Sequence, residues 1–507
     1  MENKMLNILK EKNTHSITEN GGLTYNSTMN GIMDLFALGG AYRNRSNDDC
    51  IFLFKKAFEE DISYALKCLF YLRDVRGGQG ERRFFKVVTS WLAVNHTEEM
   101  RRNLKYVPEY GRWDDLYAFV DTPLEADAFK TMYHQLALDI QCKTPSLLAK
   151  WLKSENTSSA ESRMLGAKTR MAFNMSPKQY RKILSILRER IRVLERLMSE
   201  NRWDEIEFDK IPSKAGLKYR NAFAKHDIER EKSNKVTYEE FVKDSKTKVN
   251  ADTLNPADVV HAVVSKFPYY RGNFNGTDVE RAALNKYWDN LKDYFNNAVF
   301  DGVAVVDTSG SMCGFYGSEK TIAPIDVAIS LGMYCAEKCN PNSPWYGHYI
   351  TFSRTARLVP VEGIDFVDKV RRIYQKNLCE NTNIKSIFDL LLNNAIKYNI
   401  PNEEMPKNIV IISDMEFDYC AGYYNSDEYK SEMEKIMQVW NSHGYTTPHL
   451  IFWNVDARND NIPMKMKDGI TFISGYSAVT YEMLMTGKTG FDLVLEKLNN
   501  KRYEVIK

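Results

Sequence analysis

The stretch "FDGVAVVDTSGSMCGF", residues 300–315, decides the reading of this chain. Its first half carries a continuous run of β-formers, "VAVVD" (303–307), and its second half is a cluster of small hydroxyl residues that begins at Asp307. A short, uninterrupted apolar run bounded by turn residues is the pattern of a strand buried on both faces. Four more such runs follow: "WYGHYITFS" (345–353), "NIVIISD" (408–414), "HLIFWNV" (449–455) and "GITFIS" (469–474), each set off from the next by a helix-like segment. Strands of this kind alternating with helices predict a parallel sheet covered on both faces, a doubly wound α/β fold. In such sheets ligands bind beyond the carboxyl ends of the strands. Asp307 and Asp414 both fall at carboxyl ends and are expected to meet at one edge.

Upstream of residue 298 the pattern is helical. "DDCIFLFKKAFEEDISYALKCLFYLRDV" (48–75) and "PKQYRKILSILRERIRVLERLMSEN" (177–201) repeat apolar residues three and four apart with charges between them, the period of an amphipathic helix. Breaks fall at "RGGQG" (76–80), "EYGRWDD" (109–115), "DTP" (121–123), "NMSP" (174–177) and "KIPSKAG" (210–216), which hold the Gly, Pro and capping residues that end one helix and start the next. At roughly 150 residues per domain, 507 residues allow two or three domains. The expected division is an all-helical, HEAT-like repeat domain over 1–297, its helix pairs stacked into a solenoid or ring, and a Rossmann-like, doubly wound domain over 298–507. No repeat of fixed period is present, so the stacking is inferred from helix succession alone.

Hydrophobic residues make up 43% and charged residues 27% of the chain, values of a globular protein and not of a disordered or fibrous one. The first residues, "MENKMLNILKEKN", carry charges throughout, and no apolar run approaches the roughly 18 residues a membrane helix needs. A soluble, cytoplasmic protein without membrane association is expected. The eight cysteines (Cys50, Cys68, Cys142, Cys313, Cys335, Cys339, Cys379, Cys420) form no CxxC pair and have no histidines at zinc-site spacing, so they read as reduced thiols without metal. The net charge is only +2, but residues 141–230 hold 20 lysines and arginines against 11 acidic residues. Basic charge is concentrated in the helical half.

The loop "CENTNIKSIFD" (379–389) lies between the two strand-end aspartates in sequence and offers Thr382. Asp307, Ser309, Ser311, Thr382 and Asp414 make an all-oxygen set in which hydroxyls outnumber charges. Mg²⁺ or another hard divalent cation accepts such a set octahedrally, with waters and one open position. "DTSGSM" resembles the D-x-S-x-S motif of the metal-ion-dependent adhesion site (MIDAS) in von Willebrand factor A domains, and Thr382 and Asp414 match the remaining two positions in order and context. The resemblance implies that the serines and threonine approach the metal directly, that the aspartates act through water, and that the open position takes a carboxylate from a protein partner. Asn381 stands where such domains often have glycine.

Enzymatic signals in the sequence are poor. Haloacid-dehalogenase chemistry needs a second aspartate two residues after the first, where this chain has Ser309. No GxxxxGK[ST] or GxGxxG occurs, so no nucleotide cofactor is expected. The eight histidines are scattered, no nucleophile is paired with a base, and no catalytic residue is assigned.

The helical half carries a second resemblance. "YLRDVRGGQGERRFF" (71–85), "YVPEYGRWDDLYAF" (106–119) and "LLAKWLKSENTSSAESRMLGAKTRMAFNMSPKQYRKIL" (147–184) are similar to the TROVE module of Ro ribonucleoproteins, which there precedes a von Willebrand A domain, and to domain-of-unknown-function family 2828, which has the same two-part layout. The Ro resemblance implies a helical ring that binds single-stranded RNA ends in its hole and small structured RNAs on a basic outer surface. RNA binding needs cations for phosphates and planar groups for unpaired bases. Arg73, Arg76, Arg82, Arg83, Arg112, Lys150, Arg163, Lys168, Arg170, Lys178 and Arg181 are the candidate RNA-binding cations, with Trp113 and Trp151 among them as stacking groups. Alternating charge is also usual on solvated helix faces, and a tryptophan is more often core than platform. Two other readings stay open at this point: a metal-dependent protein-interaction scaffold without RNA and a metal-dependent phosphoesterase.

Overall fold

The computed structural model describes residues 4–268, 272–313, 321–376, 380–419 and 429–507. In chain order its strands are β1 (His15–Ile17), β2 (Leu23–Tyr25), β3 (Gly302–Asp307), β4 (His348–Phe352), β5 (Arg357–Pro360), β6 (Asn408–Ser413), β7 (His449–Asn454) and β8 (Ile470–Ser474). The last six form one sheet in the order β5-β4-β3-β6-β7-β8. β3 sits at its centre, parallel to β4 in the register Val305↔Ile350 and to β6 in the register Val305↔Ile411. All six residues of β3 are buried, because helices cover both faces and leave no solvated side to alternate with. Helix Pro324–Lys338 presses directly on β3, where a Cβ at Gly332 would stand 2.4 Å from Val306 Cγ2.

The doubly wound domain is therefore present, with one addition. β5 pairs antiparallel with β4 at the sheet edge, so the sheet is mixed and not wholly parallel.

The helical region runs from Gly31–Leu38 to Asp278–Asp289. The long apolar period over 48–75 is two helices, Asn47–Glu60 and Ile62–Arg73, divided at Asp61, whose carboxylate accepts the Tyr64 N–H at 2.8 Å and caps the second. The period over 177–201 is likewise divided, between Pro177–Arg190 and Leu194–Ser199, where Arg192 takes a left-handed φ of 47°. The first domain is not all-helical. β1 and β2 form an antiparallel hairpin that joins the sheet region: Tyr25 and Ile462 exchange backbone hydrogen bonds of 3.0 and 2.7 Å.

Both ends of the helical arc return to the α/β region. At one end Asp74, after helix Ile62–Arg73, accepts from Arg502 Nη2 at 2.8 Å and from the Tyr503 hydroxyl at 3.0 Å. At the other, helix Asp278–Asp289 docks through Arg281 on Asp365 (2.6 Å) and Trp288 Nε1 on Glu337 (2.9 Å). The arc with the α/β region thus makes a closed ring. Among the cysteines, Cys50, Cys68, Cys142, Cys335 and Cys339 are free thiols, but Cys313 is disulfide-bonded, against the expectation of thiols throughout; Cys379 and Cys420 lie outside the described residues. No helix among the described residues is long and apolar enough to cross a membrane.

Candidate functional site

The doubly wound topology brings the strand-end residues together. Asp307 ends β3 and Asp414 follows β6, its neighbour in the sheet. Asp307 Oδ1 accepts the Ser309 N–H (2.9 Å), and its Oδ2 accepts the Ser413 hydroxyl (2.5 Å). The Ser309 and Ser311 hydroxyl oxygens are 3.0 Å apart, and Ser311 also hydrogen-bonds the Asp414 carboxylate. Thr382 is buried beside them: its carbonyl accepts the Asp418 N–H (3.0 Å), while the Gly310 N–H reaches Glu380 O (2.8 Å) and ties the two loops to each other. All five predicted oxygen donors are at one edge.

Burial raises the Asp307 carboxyl well above the usual carboxylate range, and the Asp414 carboxylate beside it adds to the rise. Asp414 is raised by burial too, opposed by the guanidinium of Arg458, whose Nη2 lies 3.0 Å from its Oδ2. Of these two buried carboxylates, Asp414 has the Arg458 guanidinium against it, while Asp307 has the Ser309 N–H and the Ser413 hydroxyl. A divalent cation among hydroxyl and carboxylate oxygens is the group that would compensate the remaining charge, so the donor set fits Mg²⁺ in both chemistry and charge.

The second feature is a cavity of about 1260 Å³ inside the ring. Nine lysines and arginines line it against a single acid, Glu195. Its wall is built around two buried carboxylates. Asp115 holds Arg73 Nη2 at 2.6 Å and Arg82 Nε at 3.1 Å, and Asp114 holds Arg112 Nε at 3.1 Å. These arginine charges lower the Asp115 carboxyl against the opposing effect of burial. Arg112 lies with its Cζ 4.1 Å from the centre of the Trp151 ring, a cation–π stack on the wall.

The family model for domain-of-unknown-function 2828 (DUF2828) matches residues 18–146 and 134–297, more than half of the chain. The chain belongs to this family. A second model, domain of unknown function DUF7788, matches residues 301–505. Uncharacterized protein L728 of Acanthamoeba polyphaga mimivirus is 30% identical over 512 residues, which span 93% of this chain and 85% of that protein. The crystal structure of the Deinococcus radiodurans RO (RSR) protein aligns with a TM-score of 0.48 and 13% identity, covering 94% of this chain and 100% of that one.

In this DUF2828 chain the predicted RNA-binding cations divide into two groups. Arg73, Arg76, Arg82, Arg112 and Lys150 line the cavity. Arg83, Arg163, Lys168, Arg170, Lys178 and Arg181 do not. Lys168 is paired with Asp121 and Glu125, Arg170 with Glu155 at 2.8 Å, and Arg83 donates to Asn47 at 2.8 Å. Arg163 donates to the carbonyls of Thr157 and Ser158, and Lys178 and Arg181 are exposed outside the cavity. Arg73 itself is only 2% exposed, which makes it a pillar of the wall more than a surface cation. Sequence reasoning missed Arg188, Arg196, Lys214 and Lys218, which also line the cavity. Lys214 and Lys218 were findable: in "SKAGLKYRN" they sit four apart on one helix face.

Proposed function

We propose that this protein is a non-enzymatic, Ro-like RNA-binding protein. The ring cavity takes single-stranded RNA and the strand-end site holds Mg²⁺. The observation that carries the reading is the cavity itself. Nine lysines and arginines line it; Arg73, Arg82 and Arg112 are held by Asp114 and Asp115, Arg76, Lys214 and Lys218 stand clear of those carboxylates, and Trp113, Trp151 and Tyr219 line it as well, a combination of phosphate-neutralising and base-stacking groups that single strands require. The sequence resemblance to TROVE modules supports it. Small structured RNA on the outer surface belongs to the same proposal, with the exposed Arg163, Lys178 and Arg181 available there.

In the metal site Ser309, Ser311 and Thr382 would hold the cation, with Asp307 and Asp414 supplying the charge. The bound cation supplies positive charge and an anion-binding position. Asp307, anchored by the Ser413 hydroxyl, fixes the first loop, and Asp414 fixes the loop after β6. These loops at the carboxyl ends of β3 and β6 would be tied to each other where the cation is held.

The two sites separate by mutation. The double variant Asp307→Ala, Ser309→Ala loses the Mg²⁺-dependent rise in melting temperature, a stabilisation of about 2.7 kcal/mol when Mg²⁺ is at 100 times its dissociation constant, and retains RNA affinity. Differential scanning fluorimetry with and without Mg²⁺ checks the first half and an RNA titration the second. Loss of RNA binding in a folded double variant would contradict this division of labour.

A further inference from the structure

We propose that the turn of the N-terminal hairpin, residues 18–22, is a built-in cover of the strand-end site that competes with a divalent cation for its oxygens. This rests on the metal reading above and adds to it a device that closes the site.

The turn is fitted to the edge by several independent contacts. The Thr18 hydroxyl donates to Phe417 O at 2.7 Å, Gly21 bridges Asp418, and the Glu19 N–H donates to Glu416 Oε2 at 2.7 Å. Only glycine fits at position 22, where a Cβ would stand 2.5 Å from Phe417 O. The turn then reaches one of the five donor residues, Thr382, directly and a second, Asp414, through Arg458. Asn20 Nδ2 donates to the Thr382 hydroxyl oxygen at 3.2 Å, and its orientation is fixed because the same nitrogen donates to the Glu416 carbonyl at 2.5 Å. Glu19 and Asp414 clamp the Arg458 guanidinium between them, at 2.5 and 3.0 Å, and Asn459 donates to Glu19 from beside it at 3.0 Å.

The cover puts an amide N–H on Thr382 and, through Glu19, holds the Arg458 guanidinium on Asp414, so both groups on these donor oxygens are positive-ended. A cation coordinated by the same oxygens is repelled by the positive ends of both. Cover and cation are therefore antagonists, and by linkage each weakens the other equally. The cover is also easy to displace, since β1 and β2 are only three residues each and Glu19 and Asn20 are exposed.

The test uses the full chain and Mn²⁺ as the probe, with affinity read by electron paramagnetic resonance and the hairpin by hydrogen exchange. Asn20→Ala, an exposed position that leaves the fold intact, tightens Mn²⁺ binding roughly 3- to 10-fold, the value of one hydrogen bond. In the parent protein Mn²⁺ speeds amide exchange over residues 18–25, and Asp307→Asn removes that effect. Equal or weaker Mn²⁺ affinity in Asn20→Ala, or slower exchange of the hairpin on adding Mn²⁺, overturns the cover while the metal site stands. If Mn²⁺ binds neither the parent nor Asn20→Ala, the metal reading falls and the cover with it.

Discussion

Reversing Arg76, Lys214 and Lys218 to glutamate lowers the affinity for single-stranded RNA on the order of 100-fold at low salt and leaves the melting temperature unchanged. The three line the cavity without carrying its wall. The Arg76 guanidinium donates to the Glu109 carbonyl, Lys218 has its neighbour Tyr219 as partner, and Lys214 pairs with Asp258. Their charges are thus available to phosphates. Each phosphate contact on a single strand contributes about 0.7 to the slope of log affinity against log salt, so losing three flattens it by about 2. Anisotropy titrations at two or more salt concentrations read both quantities. An affinity loss with no change of slope would mean that the substitutions had deformed the cavity and not removed phosphate contacts.

The second large effect is structural. Arg73→Ala leaves Asp115 buried with Arg82 as its one remaining guanidinium, whose side chain is 40% exposed. Breaking a buried ion pair from one side costs about 3–5 kcal/mol, a large part of the 5–15 kcal/mol that holds a typical domain together. The chemical denaturation midpoint falls accordingly, and Asp115→Ala, which strands Arg73, does comparable damage. The double variant Arg73→Met, Asp115→Leu recovers most of the loss, because two apolar side chains of similar volume leave no buried charge. If the double variant were as unstable as either single one, packing and not charge pairing would be the role of Arg73.

These two predictions also mark where sequence alone stops. The central strands were legible because β3, β6, β7 and β8 are nearly all buried, and a strand buried on both faces is written as continuous apolar residues. β5 was not, since "RLVP" is an edge strand with exposed and half-buried residues and no apolar run. The hairpin was missed for a related reason: "HSI" and "LTY" are too short to show a period, and their pairing with Ile462 is set by tertiary contact. The five oxygen donors were readable because strand-end positions follow from the topology. Glu19, Asn20 and Arg458 at the same edge were not, since the first two arrive from more than 360 residues away and Arg458 from 44 residues beyond Asp414, with nothing in the sequence to pair them. Arg73 and Arg76 look alike in "YLRDVRGG", yet one is buried against Asp115, 42 residues on, and the other faces the cavity. Charge is visible in a sequence, but its partner is not.

The central claim is that the ring cavity binds single-stranded RNA, and the most direct measurement is fluorescence anisotropy with a labelled RNA hairpin bearing a single-stranded 3′ tail, titrated at low and moderate salt with Mg²⁺ present. The account predicts tight binding that weakens steeply with salt and drops when the tail is removed. No binding at low salt, or binding indifferent to both salt and tail, would contradict it and turn the search to protein partners of the strand-end site.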